Sequence, residues 1–251
     1  MTHSRSDSIM VNNLEKKFGQ FVAVNKITFS VRKGEIFGFL GANGSGKSTT
    51  IRMLCGILTP TSGNGLVAGH DIMTDAEAIK HSIGYMSQKF SLYEDLTPYE
   101  NLRFYLGVYN IKESEWDDQI DWVLNMARLQ DMRDRPTQEL PPGWRQRLAL
   151  GCSLLHKPDI LFLDEPTSGV DPITRRHFWN FIKSIAAGGM TVFVTTHYMD
   201  EAMFCERIVM INAGNIVASG TPAEIIARAC PASPSADLND AFIKLMAGQS
   251  P

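Results

Sequence analysis

Apolar and polar positions along this chain follow two periods, and the switches between them predict an α/β protein with a helical insertion. Residues 9–14, 21–24 and 27–31 read as short strands, the last with apolar side chains at alternate positions. Ile36-Phe37-Gly38-Phe39-Leu40 is almost wholly apolar, as a strand buried on both faces requires, and Thr50-Ile51-Arg52-Met53-Leu54 reads as helix. Residues 59–65 are turn-rich, and a helix over 76–82 and a strand over 83–86 follow. From Pro98 to Leu129 the period lengthens. Leu102, Tyr105, Leu106 and Tyr109, then Ile120, Val123, Leu124 and Ala127, recur at helical spacing. Past a break at 135–143, a helix is expected over 144–155. Alternation then returns, with strands at 160–163 and 191–195 and helices at 173–187 and 199–204. A hairpin is expected around Ala213-Gly214, then a helix over 222–229, a Pro/Ser/Ala linker at 230–236 and a last helix over 241–246. The expected division is one domain over 9–229, with a core of 9–88 and 158–229, an insertion of about 89–157, and a tail of linker and short helix over 230–251.

Between the apolar strand and its helix lie Gly41-Ala42-Asn43-Gly44-Ser45-Gly46-Lys47-Ser48-Thr49, which fit G-x-x-x-x-G-K-[ST] at every fixed position. Gly41, Gly44 and Gly46 allow the backbone to turn its N–H groups around a phosphate. The helix points its positive end at the same anion. Lys47 supplies charge for the β- and γ-phosphates, and the Ser48 hydroxyl can ligate Mg²⁺. This is a nucleotide-binding loop.

Such a loop needs a carboxylate for Mg²⁺ and a group to orient the attacking water. Ile160-Leu161-Phe162-Leu163-Asp164-Glu165 carries both at the end of an apolar strand. Side chains alternate along a strand, so the two carboxylates are expected on opposite sides, Asp164 for the metal and Glu165 for the water.

Composition narrows the classes. A chain of 251 residues can bury one substantial core, or one core with a small inserted subdomain. The net charge is −3 with no long basic run, which argues against a nucleic-acid partner. The four cysteines, Cys55, Cys152, Cys205 and Cys230, are scattered and read as small apolar residues in a reducing compartment. No apolar run reaches the roughly 18 residues that span a bilayer. Residues 1–8 are polar and are expected to be disordered, without an apolar signal core. The chain is expected to be soluble and cytoplasmic unless another chain tethers it to a membrane.

Taken in order, these motifs closely resemble those of the ATP-binding-cassette (ABC) ATPases, over about residues 9–229. Gln88, after the strand at 83–86, is similar to the family's Q-loop glutamine. Ser168-Gly169-Val170-Asp171 resembles the D-loop, and His197 resembles the switch histidine. Phe18 stands where the family places an aromatic that stacks on adenine. The resemblance implies a P-loop NTPase of ABC type, with a mixed sheet core, an antiparallel β subdomain and an inserted helical subdomain. It implies Gln88 as a Mg²⁺ or water contact, His197 as a donor to the γ-phosphate, and Asp171 at a dimer seam. ATP and Mg²⁺ are the implied cofactors.

One stretch departs from the pattern. The family signature reads Leu-Ser-Gly-Gly-Gln and contacts the γ-phosphate bound by the opposite subunit, whereas this chain has Leu140-Pro141-Pro142-Gly143-Trp144. Pro141 replaces a hydroxyl and Pro142 lacks an N–H, while proline is tolerated in a first helical turn. Losing one preorganised donor commonly costs about 10²-fold in rate. Two expectations stay open, slow hydrolysis by a homodimer or ordinary turnover with Trp144 and Arg145 compensating.

Phe90-Ser91-Leu92-Tyr93-Glu94-Asp95-Leu96-Thr97-Pro98 and the tail from Leu238 to Leu245 resemble the ABC-2-type exporter branch, which includes drug exporters. Phe90, Leu92, Tyr93 and Leu96 are expected to form a groove for a membrane subunit. The stretch between Lys47 and Asp164 is too short for the long coiled coil of a chromosome-organising relative, and the chain has one cassette where ribosome-acting relatives have two. The resemblance implies ATP hydrolysis coupled to export through membrane-spanning permease subunits, with a second ABC ATPase subunit as partner, at the cytoplasmic face of the membrane. The alternative is a weakly hydrolysing, ATP-gated cassette, or half of a tandem-cassette protein, acting as a regulatory or structural partner.

Overall fold

The computed structural model describes residues 6–88, 91–233 and 235–247. Two sheets and a helical layer make up the fold. The first sheet is antiparallel, in the order β2 (Phe21–Arg32), β1 (Asp7–Phe18), β4 (Ser62–Val67), β5 (His70–Asp71). The three short strands expected before residue 32 are two long ones. Asn13 and Lys26 take positive φ (49° and 46°), and the β1–β2 register slips nearby, so irregular pairing interrupts the alternation without ending the strand. Asp7 and Ser8, expected to be disordered, belong to β1. Residues 1–5 of that expectation lie outside the described residues. The turn-rich patch at 59–65 runs into β4.

The second sheet has the order β10 (Asn215–Gly220), β9 (Arg207–Asn212), β3 (Ile36–Leu40), β8 (Thr191–Thr196), β7 (Ile160–Asp164), β6 (Ile83–Met86). Five of its strands run parallel and β10 closes the edge antiparallel. All residues of β3, β7 and β8 are buried, as their apolar runs require when helices or a second sheet cover both faces. Phe29 and Val31 of β2 join Phe37, Phe39, Phe162 and Phe193 in one cluster between the sheets. The strand order carries the functional consequence. β6, β7, β8 and β3 lie side by side and parallel, so the segments leaving their carboxyl ends converge along one edge.

α1 (Lys47–Leu54) follows β3, and α2 (Ala76–Ser82) precedes β6. The helical layer holds α3 (Pro98–Val108), α4 (Trp116–Ala127) and α5 (Pro142–Leu154), packed through Leu102, Leu106, Ile120, Val123, Leu124, Leu148 and Cys152. Thr97 and Glu100 form a capping box that fixes the start of α3, an arrangement that contributes about 1 kcal/mol. Asn101, fully buried, bonds Tyr93 N and Tyr93 O (2.9 Å each) and the Thr137 hydroxyl (3.1 Å), tying the segment after Gln88 to this layer. Of the expected groove, Tyr93 is exposed and Leu92 and Leu96 are half-buried. Phe90 lies outside the described residues.

The remaining helices are α6 (Pro172–Ala187), α7 (Met199–Ala202), α8 (Pro222–Ala229) and α9 (Leu238–Ala247). The stretch expected as a linker begins at Cys230, which is buried. Leu238 and Ala241 of α9 share its core cluster with Leu40, Leu163 and Trp179.

Candidate functional site

The glycine-rich loop leaves β3 at Gly41 and enters α1 at Lys47. A side chain at Gly41 would collide with the Ile211 carbonyl and the Ser45 hydroxyl. One at Gly46 would stand 2.6 Å from Ala23 O, and Gly46 caps α1 with φ 110°. No side chain caps this helix, so its first N–H groups remain for a ligand at the positive end of the dipole. The Ser45 hydroxyl is buried with no hydrogen-bond partner, a donor that a phosphate oxygen would satisfy. Asn43, Gly44 and Ser48 are exposed and Thr49 is half-buried, so the loop opens to solvent on one side. Lys47 Nζ donates to Gly41 O (2.9 Å) and Ala42 O (3.1 Å).

Both expected carboxylates reach this loop. Ser48 Oγ donates to Asp164 Oδ1 (3.2 Å), and Lys47 Nζ lies 3.0 Å from Glu165 Oε1. The alternation argument needs correction. β7 ends at Asp164, and Glu165 takes φ 47°, so both carboxylates face the same loop, against neighbouring residues of α1. A left-handed turn separates them, where strand pleat would have sent one away. Thr195 Oγ1 donates to Asp164 Oδ1 (2.6 Å) and accepts from Glu165 N (3.0 Å), so the end of β8 holds the end of β7. Burial raises the Asp164 carboxyl above the ordinary value. The bonds from Thr195 and Ser48 pull it down, and the Glu165 charge adds to the rise.

Gln88 and His197 meet at the same carboxylate. Gln88 Nε2 donates to Glu165 Oε2 (3.2 Å), and His197 Nδ1 lies 3.2 Å from that oxygen. Glu165 therefore gathers contacts from segments leaving β6, β3 and β8. An Asp164 oxygen beside the Ser48 hydroxyl is also the hard, oxygen-only donor set that suits Mg²⁺.

The other candidates stand elsewhere. Phe18 ends β1, half exposed, with Lys16 Nζ 5.2 Å from its ring centre and the exposed Phe21 paired across the turn. Asp171 caps α6, accepting from Ile173 N and Thr174 N (3.0 Å each), and the bonds from Thr174 hold its carboxyl below the ordinary value. In the signature stretch Leu140 is buried and Pro141 and Pro142 are exposed. α5 begins at Pro142, two residues before the expected start, because proline's fixed φ suits a first helical position. Pro141 provides no side-chain cap. A side chain at Gly143 would stand 2.6 Å from Thr174 Cγ2, so the start of α5 packs closely on α6. Trp144 turns into the helical layer with Arg147 over its ring at 5.2 Å, and Arg145 reaches Glu94 at 3.6 Å. Among the described residues, no hydrogen bond joins 140–144 to the glycine-rich loop.

Sequence reasoning missed Thr195, Thr167, Thr196 and Glu201. Thr195 and Thr196 close the apolar run of β8, a weak signal that polar groups are wanted there, and Thr167 follows the Asp164-Glu165 pair with no such signal. Nothing local marks Glu201, on a four-residue helix, as buried.

A buried parallel strand opening into an uncapped helix through a glycine turn, faced by carboxylates from beyond the strand two places away, defines a P-loop nucleotide-binding cassette. The chain spans the elements of one such cassette and adds an antiparallel sheet and a helical layer. The family model described as ABC transporter matches residues 24–168. The "Probable multidrug ABC transporter ATP-binding protein YbhF" of Escherichia coli (strain K12) is 49% identical over 239 residues, covering 95% of this chain and 41% of that protein. The "Linearmycin resistance ATP-binding protein LnrL" of Bacillus subtilis (strain 168) is 38% identical over 221 residues, 88% of this chain and 71% of that one. Among solved structures, an ATP-binding cassette described as dimeric, in a post-hydrolysis state bound to ADP and Pi, matches with a TM-score of 0.75 at 26% identity. That match covers 85% of this chain and 98% of the other. The chain belongs to the ABC transporter family. It spans about two fifths of the length of the first of these relatives.

Proposed function

We propose that the chain hydrolyses ATP and couples the reaction to export through partner membrane subunits, as the nucleotide-binding part of an ABC-2-type exporter. The observation that carries this reading is the convergence on Glu165 of Lys47, Gln88 and His197. The backbone of Gly41–Thr49, the α1 amides and Lys47 hold the phosphates, and the Ser45 hydroxyl gains the partner it lacks. Phe18 stacks on the adenine. Glu165 takes a proton from the attacking water, and Gln88 and His197 orient its carboxylate and the γ-phosphate. Ser48 and Asp164, with Gln88, would hold Mg²⁺, which would neutralise charge developing on the β- and γ-phosphates.

The complete site needs a second cassette, whose signature helix faces the γ-phosphate, with Asp171 at the seam between the two. The division into a core of 9–88 and 158–229 and an insertion of 89–157 gives the helical layer the part of a lever. The exposed Tyr93–Phe104 pair, ring centres 4.5 Å apart, supports docking of a membrane subunit beside Gln88. On this reading the chain works at the cytoplasmic face of the membrane, held there by its partners. Names of relatives that include multidrug, linearmycin resistance and Nod factor export support the exporter branch.

Pro141 and Pro142 favour a second reading, a slowly hydrolysing, ATP-gated cassette or half of a tandem pair. Steady-state phosphate release from the full chain with MgATP tests both. Turnover abolished by Glu165→Gln supports the first reading. Bound ATP without phosphate release, with or without a partner cassette, sinks it.

A further inference from the structure

Glu201 is a carboxylate with no measurable exposure, in the four-residue helix α7, outside the set of residues that touch the glycine-rich loop. A buried carboxylate is tolerated only where donors and a counter-charge surround it. Glu201 has both, and they come from three separate segments. Its Oε1 accepts a hydrogen bond from the Thr167 hydroxyl. Its Oε2 accepts from the Thr196 hydroxyl at 2.6 Å. Arg175 of α6 places Nε 3.4 Å from Oε1. That nitrogen finds no aligned hydrogen-bond acceptor, so the contact acts as charge against charge.

The positions of the two threonines give the cluster its meaning. Thr167 lies two residues after Glu165, and Thr196 immediately precedes His197. Glu165 and His197 meet at 3.2 Å, a contact that depends on two loops leaving different strands at a set separation. Glu201 bridges those loops on the buried side. Arg175 extends the bridge, donating from Nη2 to Val170 O (3.4 Å) beside Asp171 and lying 3.9 Å over the Tyr198 ring beside His197.

We propose that Glu201 is a positioning residue for hydrolysis, which sets the Glu165–His197 pairing by fixing Thr167 and Thr196, with Arg175 linking that pairing to the Val170–Asp171 turn. This inference rests on the hydrolytic reading above. Glu201 touches no nucleotide, so its loss changes the rate of the chemical step and leaves ground-state binding alone.

Glu201→Gln keeps the shape and one acceptor while removing the charge. In the full chain with MgATP, kcat is expected to fall at least about 10-fold, since mispositioning by about an ångström costs up to 10²-fold. The ATP affinity and KM are expected to stay within about twofold. Thr167→Val and Thr196→Val leave the Glu201–Arg175 pair intact, and each is expected to lower kcat with the same unchanged KM. These two variants decide the matter if Glu201→Gln does not fold. A role confined to stability would lower Tm and leave kcat per folded molecule at the wild-type value, which overturns the proposal. Wild type is measured alongside. If it turns over and the variants match it, this inference alone falls. If wild type binds ATP and releases no phosphate, the hydrolytic reading falls and takes this one with it.

Discussion

Lys47 Nζ and Glu165 Oε1 stand 3.0 Å apart, both side chains almost wholly buried, one from the start of α1 and the other from the turn after β7. The cation suited to phosphate and the carboxylate suited to water are thus each other's counter-charge. Neither could be buried at low cost without the other. On the proposed reading, a nucleotide that draws Lys47 to its phosphates would free Glu165 for the attacking water and so couple binding to hydrolysis through one ion pair.

Glu165→Gln keeps the size of the side chain and an acceptor for Gln88 and His197, and removes the base. ATP binding is expected to persist while phosphate release falls by about 10²–10⁴-fold, the span that a positioned acid–base group contributes. Single-turnover phosphate release, with bound nucleotide measured in parallel, checks this. Release at the wild-type rate would refute the role given to Glu165.

Lys47→Ala removes the charge that meets the phosphates and strands Glu165 without its cation. Charge-assisted hydrogen bonds contribute about 1.5–3 kcal/mol, so ATP affinity is expected to weaken by about 10- to 100-fold. Fluorescent-nucleotide titration reads the change. An unaltered affinity would remove Lys47 from the phosphate site.

Pro141→Ser with Pro142→Gly would restore the hydroxyl and the N–H that the signature lacks. Ser at the N-cap of α5, where Pro141 makes no side-chain cap, is expected to add about 1 kcal/mol of stability. If the prolines limit the rate, steady-state hydrolysis rises by about 10²-fold, the contribution of one preorganised donor. An unchanged rate would show that Gly143 and the helix start suffice.

His156 packs on the Tyr109 ring at 4.1 Å, and its Nε2 lies 2.8 Å from Ile83 O. Burial, the largest influence, pushes its pKa below the ordinary 6.5. The unfolded chain therefore takes up a proton at a higher pH than the folded one does. Stability is lost as pH falls through about 6.5, down to the depressed folded value. His156→Phe removes that contribution, and the drop in Tm between pH 7.5 and 5.5 is expected to be smaller than in wild type. Identical slopes in thermal melts would count against it.

Some of this protein was legible without its fold. The glycine spacing, the apolar strands on either side of the site, and the helical period across 98–129 are local patterns. They pointed to a phosphate loop, a pair of carboxylates and an inserted layer because backbone freedom and burial act over a few residues. Local reading misplaced what depended on distant partners. The irregularity at Lys26 read as a strand end because the continuous pairing of β2 with β1 is not written in β2 itself. The burial of Cys230 and Leu238 was hidden because residues far along the chain cover them. The pair Asp164 and Glu165 was visible, but the turn that sends both to one side was not. It exists because Thr195, on a strand that becomes a neighbour only in the folded sheet, holds the Glu165 amide. Gln88, His197 and Glu201 likewise became one assembly only when β6, β7, β8 and β3 lay side by side. Residue chemistry chose the groups for phosphate and water, and the order of strands, set by long-range pairing, brought them to one carboxylate.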